Sequence, residues 1–172
     1  RKRLSESGIT NVRFAHAAGQ DLVFPEHSVD VMLSRNGPLG LSGFLDEAKR
    51  VVKRGGWLLE VTVGEDDGRE LRALLQTEEV DPSPGKSERL KERVAAAGFH
   101  LRHMEDVKTV FHFDSPEQVV RELTLTRTVG ETTVTAWTET LRRAWPRLIG
   151  KEGLALTHHR IIWQAVNEEI SV

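Results

Sequence analysis

The feature that most restricts the fold is a strand, a helix and a second strand set end to end with short joints. VDVMLS, Val29 to Ser34, has the near-continuous apolar character of a strand covered on both faces. The turn NGPLGLSG follows, and FLDEAKRVVK then places Phe44, Leu45, Ala48, Val51 and Val52 on one face of a helix over Phe44 to Lys53. Lys49, Arg50, Lys53 and Arg54 gather in its last turn, where cations complement the helix dipole and form a solvated end. Gly55 and Gly56 are read as the stop, and WLLEVTV, Trp57 to Val63, as the next buried strand. A strand, helix and strand joined this way form a right-handed parallel crossover, which commits the chain to an α/β sheet.

The flanking segments extend the alternation. Upstream, RKRLSESG ends in a glycine suited to a helix terminus, VRFAHA (Val12 to Ala17) reads as a short strand, and AGQDLVFPEHS as a loop. Downstream, DGRELRALLQT reads as a helix, DPSPG (Asp81 to Gly85) as a surface turn, and SERLKERVAAAG as a helix closed by Gly98. FHLRHMEDVKTVFHF is one long or broken strand. SPEQVVRELTLTR opens a helix with a serine cap and a proline at the first helical position. A helix through TAWTETLRRAWPRLIG and a last strand GLALTHHRIIWQAV complete the chain.

Composition limits the functions on offer. At 172 residues the chain is the size of one domain, and no linker divides it. Lys and Arg number 24 against 26 Asp and Glu, a formal charge of -2, so no basic field draws a nucleic-acid backbone. With no cysteine there are no disulfides or thiolate metal sites, and a reducing cytoplasm is the expected location. No apolar run reaches membrane-spanning length.

Several motifs in order now carry a resemblance. DLVFPEHSVDVMLS, through Asp21, Leu22, Phe24, Pro25, Ser28, Asp30, Val31 and Ser34, and EAKRVVKRGG, through Arg50, Val51, Lys53, Gly55 and Gly56, are similar to segments of class I S-adenosylmethionine-dependent methyltransferases of the small bacterial type. AAAGFHLRHMEDV resembles the approach to that family's sixth strand, and THHRIIWQAV its final antiparallel strand. The implied fold is a Rossmann-like three-layer α/β sandwich with a mostly parallel sheet and an antiparallel last strand. The whole chain, 1–172, would be a single domain with a helical lid at about 115–150.

The resemblance also implies an N-terminally incomplete domain. The family's first strand and glycine-rich loop, and the second strand with its ribose-holding acidic residue, have no counterpart among these residues, which begin in the helix after that second strand. Without those strands VRFAHA loses its neighbours and VDVMLS becomes a bare apolar edge. The expectation is the tail of a longer protein; the other routes are a homodimer or partner chain that completes the sheet, or a rearranged remnant of the fold.

The implied function is methyl transfer from S-adenosylmethionine to a small molecule. The alternative is a non-catalytic module that pairs with a partner through its open edge. Cofactor contacts would come from Ala18, Gly19, Gln20 and Asp21 after the third strand of the family order, and from Ser34, Arg35 and Asn36 after the fourth. Ala18 stands where the family has an acidic residue near the adenine amino group, which leaves that contact to backbone groups, Gln20 or Asp21. A third reading, nicotinamide binding, rests on Gly37, Gly40 and Gly43 before a helix, with Glu60 ending the next strand.

No catalytic constellation is visible, in keeping with a displacement that needs chiefly positioning. His16 and His27 lie nearest the presumed cleft, and either could act as a base. His100, His103, His112, His158 and His159 read as surface or half-buried strand residues, without metal-site spacing. Trp137, Trp145 and Trp163 read as core or lid aromatics.

Overall fold

The computed structural model describes residues 8, 10–35, 43–75, 85–125 and 130–168. They form a four-stranded sheet in the order β1-β2-β4-β3, from β1 (Val29–Arg35), β2 (Val52–Val63), β3 (His100–Phe113) and β4 (Leu154–Val166). β1 pairs with β2 in parallel, and β4 runs antiparallel to both β2 and β3. The carboxyl ends of β1, β2 and β3 therefore share one end of the sheet with the start of β4. The helices are α1 (Phe44–Val51), α2 (Arg69–Leu75), α3 (Lys86–Ala96), α4 (Pro116–Leu125) and α5 (Glu131–Leu148). The α/β architecture and the antiparallel last strand agree with the expectation.

One face of the sheet carries the main core. Phe44, Leu45 and Ala48 of α1 and Leu90 and Val94 of α3 pack on Leu58, Ile161, Trp163 and Ala165, with Met32 of β1 at the margin. Trp163 is 1% exposed, and burying an aromatic of that size stabilises by about 2–3 kcal/mol. A second cluster lies at the carboxyl end. Leu71 and Leu75 of α2, Val119 and Val120 of α4 and Leu141 of α5 close over Leu154 and Leu156, and Trp137 and Trp145 pack against them. Ser115 caps α4 by accepting a hydrogen bond from the Gln118 N–H at 3.3 Å.

Three expectations are corrected. Residues 12–17 form no strand, and Phe14 is half exposed, because an isolated extended segment has no ladder to pair its backbone groups. Helix α1 stops at Val51 rather than Lys53, and the glycine pair lies inside β2. Between Val29↔Val52 and Val31↔Trp57 the register shifts, so Lys53 to Gly56 loop out of the ladder. Gly55 takes φ 74°, and a Cβ on Gly56 would sit 2.9 Å from the backbone oxygens of Asp30 and Lys53. Finally, β1 is covered on one face only. Met32 points into the core, while Val31 and Leu33, 56% and 75% exposed, stand on an open face with Trp57, Leu59, Val61, Ile162 and Gln164. Asp81 to Pro84 of the surface turn lie outside the described residues.

Candidate functional site

The two motifs that carry the resemblance are physically joined. Arg50, expected as a solvated helix end, donates to the Leu22 and Phe24 carbonyls at 3.0 Å each and to both oxygens of Glu47 at 2.7 and 2.8 Å. Glu47 in turn accepts the Leu22 N–H at 2.8 Å. The guanidinium fork thus satisfies backbone carbonyls that a loop leaves bare, and it straps residues 22–24 onto α1. Its hydrogen bonds, then the Leu22 N–H, pull the Glu47 carboxyl down to about 2.

That strap places the turn 18–21. The Asp21 N–H bonds the Ala18 carbonyl at 3.0 Å, closing a turn in which Gly19 is half-buried and Ala18, Gln20 and Asp21 are exposed. A Cβ built on Gly43, the residue before α1, would lie 3.4 Å from the Gln20 Cβ. Gln20 therefore lies at the amino end of α1, on the side of the sheet where β1 ends. Ser34, half-buried, and Arg35, exposed, are the last residues of β1, paired with Glu60 and Val61. Asn36 lies outside the described residues, as do Gly37 and Gly40.

A cleft opens at this same end. The space between its walls, counted out into open solvent, is about 480 Å³. Its apolar wall is Phe111 and Phe113 of β3, Leu123 of α4 and Leu156 of β4; its polar groups are Asp67, Thr157, His158, Arg160 and Glu122. The loop after β2 is its floor. Gly68 donates to the Thr157 carbonyl at 2.8 Å, and the Asp67 carboxylate accepts from the His159 N–H at 2.9 Å and from Arg160.

The histidines are sorted differently from the expectation. His27, held at φ 50° with Nδ1 3.2 Å from the Val52 carbonyl oxygen, precedes β1 and so sits at the opposite end of the sheet. His16 is in an exposed stretch. His159 is fully buried: its Nδ1 accepts the Asp66 N–H at 3.1 Å, so Nε2 carries the proton, which it donates to Asp106 at 2.9 Å. His158, on the other face, lines the cleft. Adjacent strand residues facing opposite ways was legible in the sequence, but which face held a cleft was not. Burial first, and then the charge of Arg160, lower the His158 pKa against the pull of Asp67 and Glu122.

The nicotinamide reading loses its acidic residue. Glu60 is buried within β2, which runs on to Val63, so its carboxylate is not at a strand end where ribose hydroxyls would sit. No helix among the described residues is long and apolar enough to cross a membrane.

Residues 1–60 match the methyltransferase domain family. No curated protein sequence matches the chain. Among solved structures, a candidate methyltransferase of Bacillus halodurans is 17% identical over 98% of this chain and 77% of its own, with a TM-score of 0.64. The cyclase SpnF is 20% identical over 98% of this chain and 61% of its own, with a TM-score of 0.59. The geranyl diphosphate C-methyltransferase of Streptomyces coelicolor, solved with Mg2+, geranyl diphosphate and S-adenosylhomocysteine, is 16% identical over 96% of this chain and 58% of its own, with a TM-score of 0.51. The chain has the class I S-adenosylmethionine-dependent methyltransferase fold, and its first 60 residues match the methyltransferase domain family.

Proposed function

We propose that this chain forms part of an S-adenosylmethionine-dependent methyltransferase acting on a small molecule. The observation that carries the reading is convergence at one end of the sheet. The turn 18–21, the end of β1 at Ser34 and Arg35, and the cleft lined by β3, β4 and α4 all lie there. Gln20 beside Gly43, the backbone of 18–21, Ser34 and Arg35 fit one wall of a cofactor site, Asn36 following in the chain. The cofactor, when bound, supplies an electrophilic methyl group. The chain's own work is to hold the acceptor in the cleft, with α4 and α5 as the lid that selects it and excludes water. Titration of S-adenosylhomocysteine into the protein tests the reading. Micromolar affinity, weakened by Gln20→Ala and Arg35→Ala, is expected; a folded protein with no affinity would overturn it.

A second reading has its own support. No described residue covers the edge of β1 or the apolar face beside it, and SpnF is a cyclase on this fold, so the fold does not by itself secure methyl transfer. In that reading the chain is a non-catalytic module. Its partner would add a strand parallel to β1 and a helix over Val31 and Leu33, since parallel neighbours come with helical crossovers. A tight complex through this edge, without cofactor affinity, would favour it.

A further inference from the structure

Among the described residues, two polar side chains lining the cleft, Glu122 at its exposed margin and His158 in its wall, have no hydrogen-bond partner. Arg160 donates to Asp67 and to the His159 carbonyl, and Thr157 is engaged through both its N–H and its hydroxyl by Glu70. His158 is half-buried, with its ring edge-on to Phe111 at 4.9 Å and 78° between planes. Among the described residues nothing is hydrogen-bonded to either ring nitrogen. A half-buried imidazole in a cleft wall, set against an aromatic ring and with no partner for its nitrogens among the described residues, can take up a ligand group.

The surroundings narrow that group. The lining around His158 is aromatic and aliphatic, through Phe111, Phe113, Leu123 and Leu156. Its one cation, Arg160, is neutralised by Asp67, and Glu122 adds a negative charge from α4. Among the lining residues a carboxylate or phosphate ligand would meet no unengaged cation, whereas an apolar ring bearing a hydroxyl would match both wall and imidazole.

We infer that His158 is the proton acceptor of this site, and that the cleft takes an apolar or aromatic molecule whose nucleophile is a weakly acidic O–H, phenolic or enolic. This rests on reading the cleft as the methyl-acceptor site. In the step, the substrate O–H bond breaks and its electron pair stays on oxygen. The proton bonds to the lone pair of an imidazole nitrogen, and the imidazolium later returns it to water. The charges facing His158 suit it to this. Burial and Arg160 lower its pKa, Asp67 and Glu122 oppose them, and Arg35 at the end of β1 adds a further downward push, so the ring is neutral at pH 7.

The test needs no cofactor, which separates its failure from failure of the methyltransferase reading. The probe is 4-nitrophenol, whose ionised form is yellow, added to the protein and to His158→Gln. Bound probe in the unmodified protein should ionise as if its pKa were about one unit lower, about tenfold more phenolate at a given pH. The glutamine variant should bind within about threefold as tightly but lose that shift, since glutamine can hydrogen-bond but not accept the proton. Histidine NMR of the unmodified protein should show the His158 ring becoming protonated as probe binds, which keeps the test valid if the variant misfolds. Binding without ionisation, or ionisation unchanged by His158→Gln, overturns the role of His158. Absence of binding, or binding untouched by filling the cleft with Leu123→Trp, overturns the acceptor class and the cleft together.

Discussion

Gly64, just past β2, shows how little room the buried histidine leaves. A Cβ there would lie 2.3 to 2.4 Å from three atoms of the His159 ring. The ring cannot swing away, because Asp106 and the Asp66 N–H hold its two nitrogens. Gly64→Ala is therefore expected to destabilise by about 1–3 kcal/mol through overpacking, and an unchanged urea midpoint would refute the contact. Glu47 supplies a second prediction, in pH. Its pKa falls from 4.5 to about 2 on folding, so its contribution is present above the unfolded value and is lost as pH drops through that window. The urea midpoint should decline from about pH 5 to pH 2, and Glu47→Gln should flatten part of that decline.

Among the elements, the joint between α1 and β2 depends on a residue over a hundred positions away. Asn167 is buried beyond the end of β4, and its amide donates to the Lys49 and Val52 carbonyls at 3.1 and 2.7 Å. Its backbone also exchanges hydrogen bonds with Gly55 and Gly56 at 2.7 and 2.9 Å. The carbonyls at this joint that α1 cannot satisfy are met by the residue just past the last strand. Asn167→Ala should cost about 1–3 kcal/mol for one buried and one part-buried carbonyl losing a donor, and Asn167→Asp should fail similarly by losing both side-chain N–H groups. Denaturant unfolding measures both, and a loss under about 0.5 kcal/mol would remove Asn167 from this role. The glycine pair was legible in the sequence as a site of backbone freedom. That it lies inside a strand was not, because the looped register depends on β1 and Asn167 arriving from elsewhere.

For the molecule as a whole, the open face is the dominant fact. Val31 and Leu33 stand exposed beside Leu59, Val61 and Ile162, and among the described residues β1 presents an unpaired parallel edge. A contiguous apolar face of this kind is an interaction surface or an association hazard. The 172-residue chain by itself should bind a hydrophobic dye and self-associate, and Val31→Lys with Leu33→Lys should reduce both without unfolding it. Sedimentation velocity with dye fluorescence decides the matter: a monomeric, dye-silent chain would mean that the face is covered in solution. If polypeptide completes the sheet there, the same substitutions should weaken that assembly.

What the sequence determined by itself was the local alternation and its handedness. The apolar runs of β1 and β2, the amphipathic α1 between them and the caps at Ser115 and Gly98 follow from nearest-neighbour chemistry, which short segments carry intact. Tertiary structure alone decided what Arg50, Asn167, His158 and His159 do. Each depends on partners remote in sequence: the strap on Leu22 and Phe24, the carbonyls at the end of α1, the cleft lining, and the Asp106 carboxylate. No window of sequence contains those distances. For the same reason VRFAHA, with the pattern of a strand and no neighbour to pair with, did not become one.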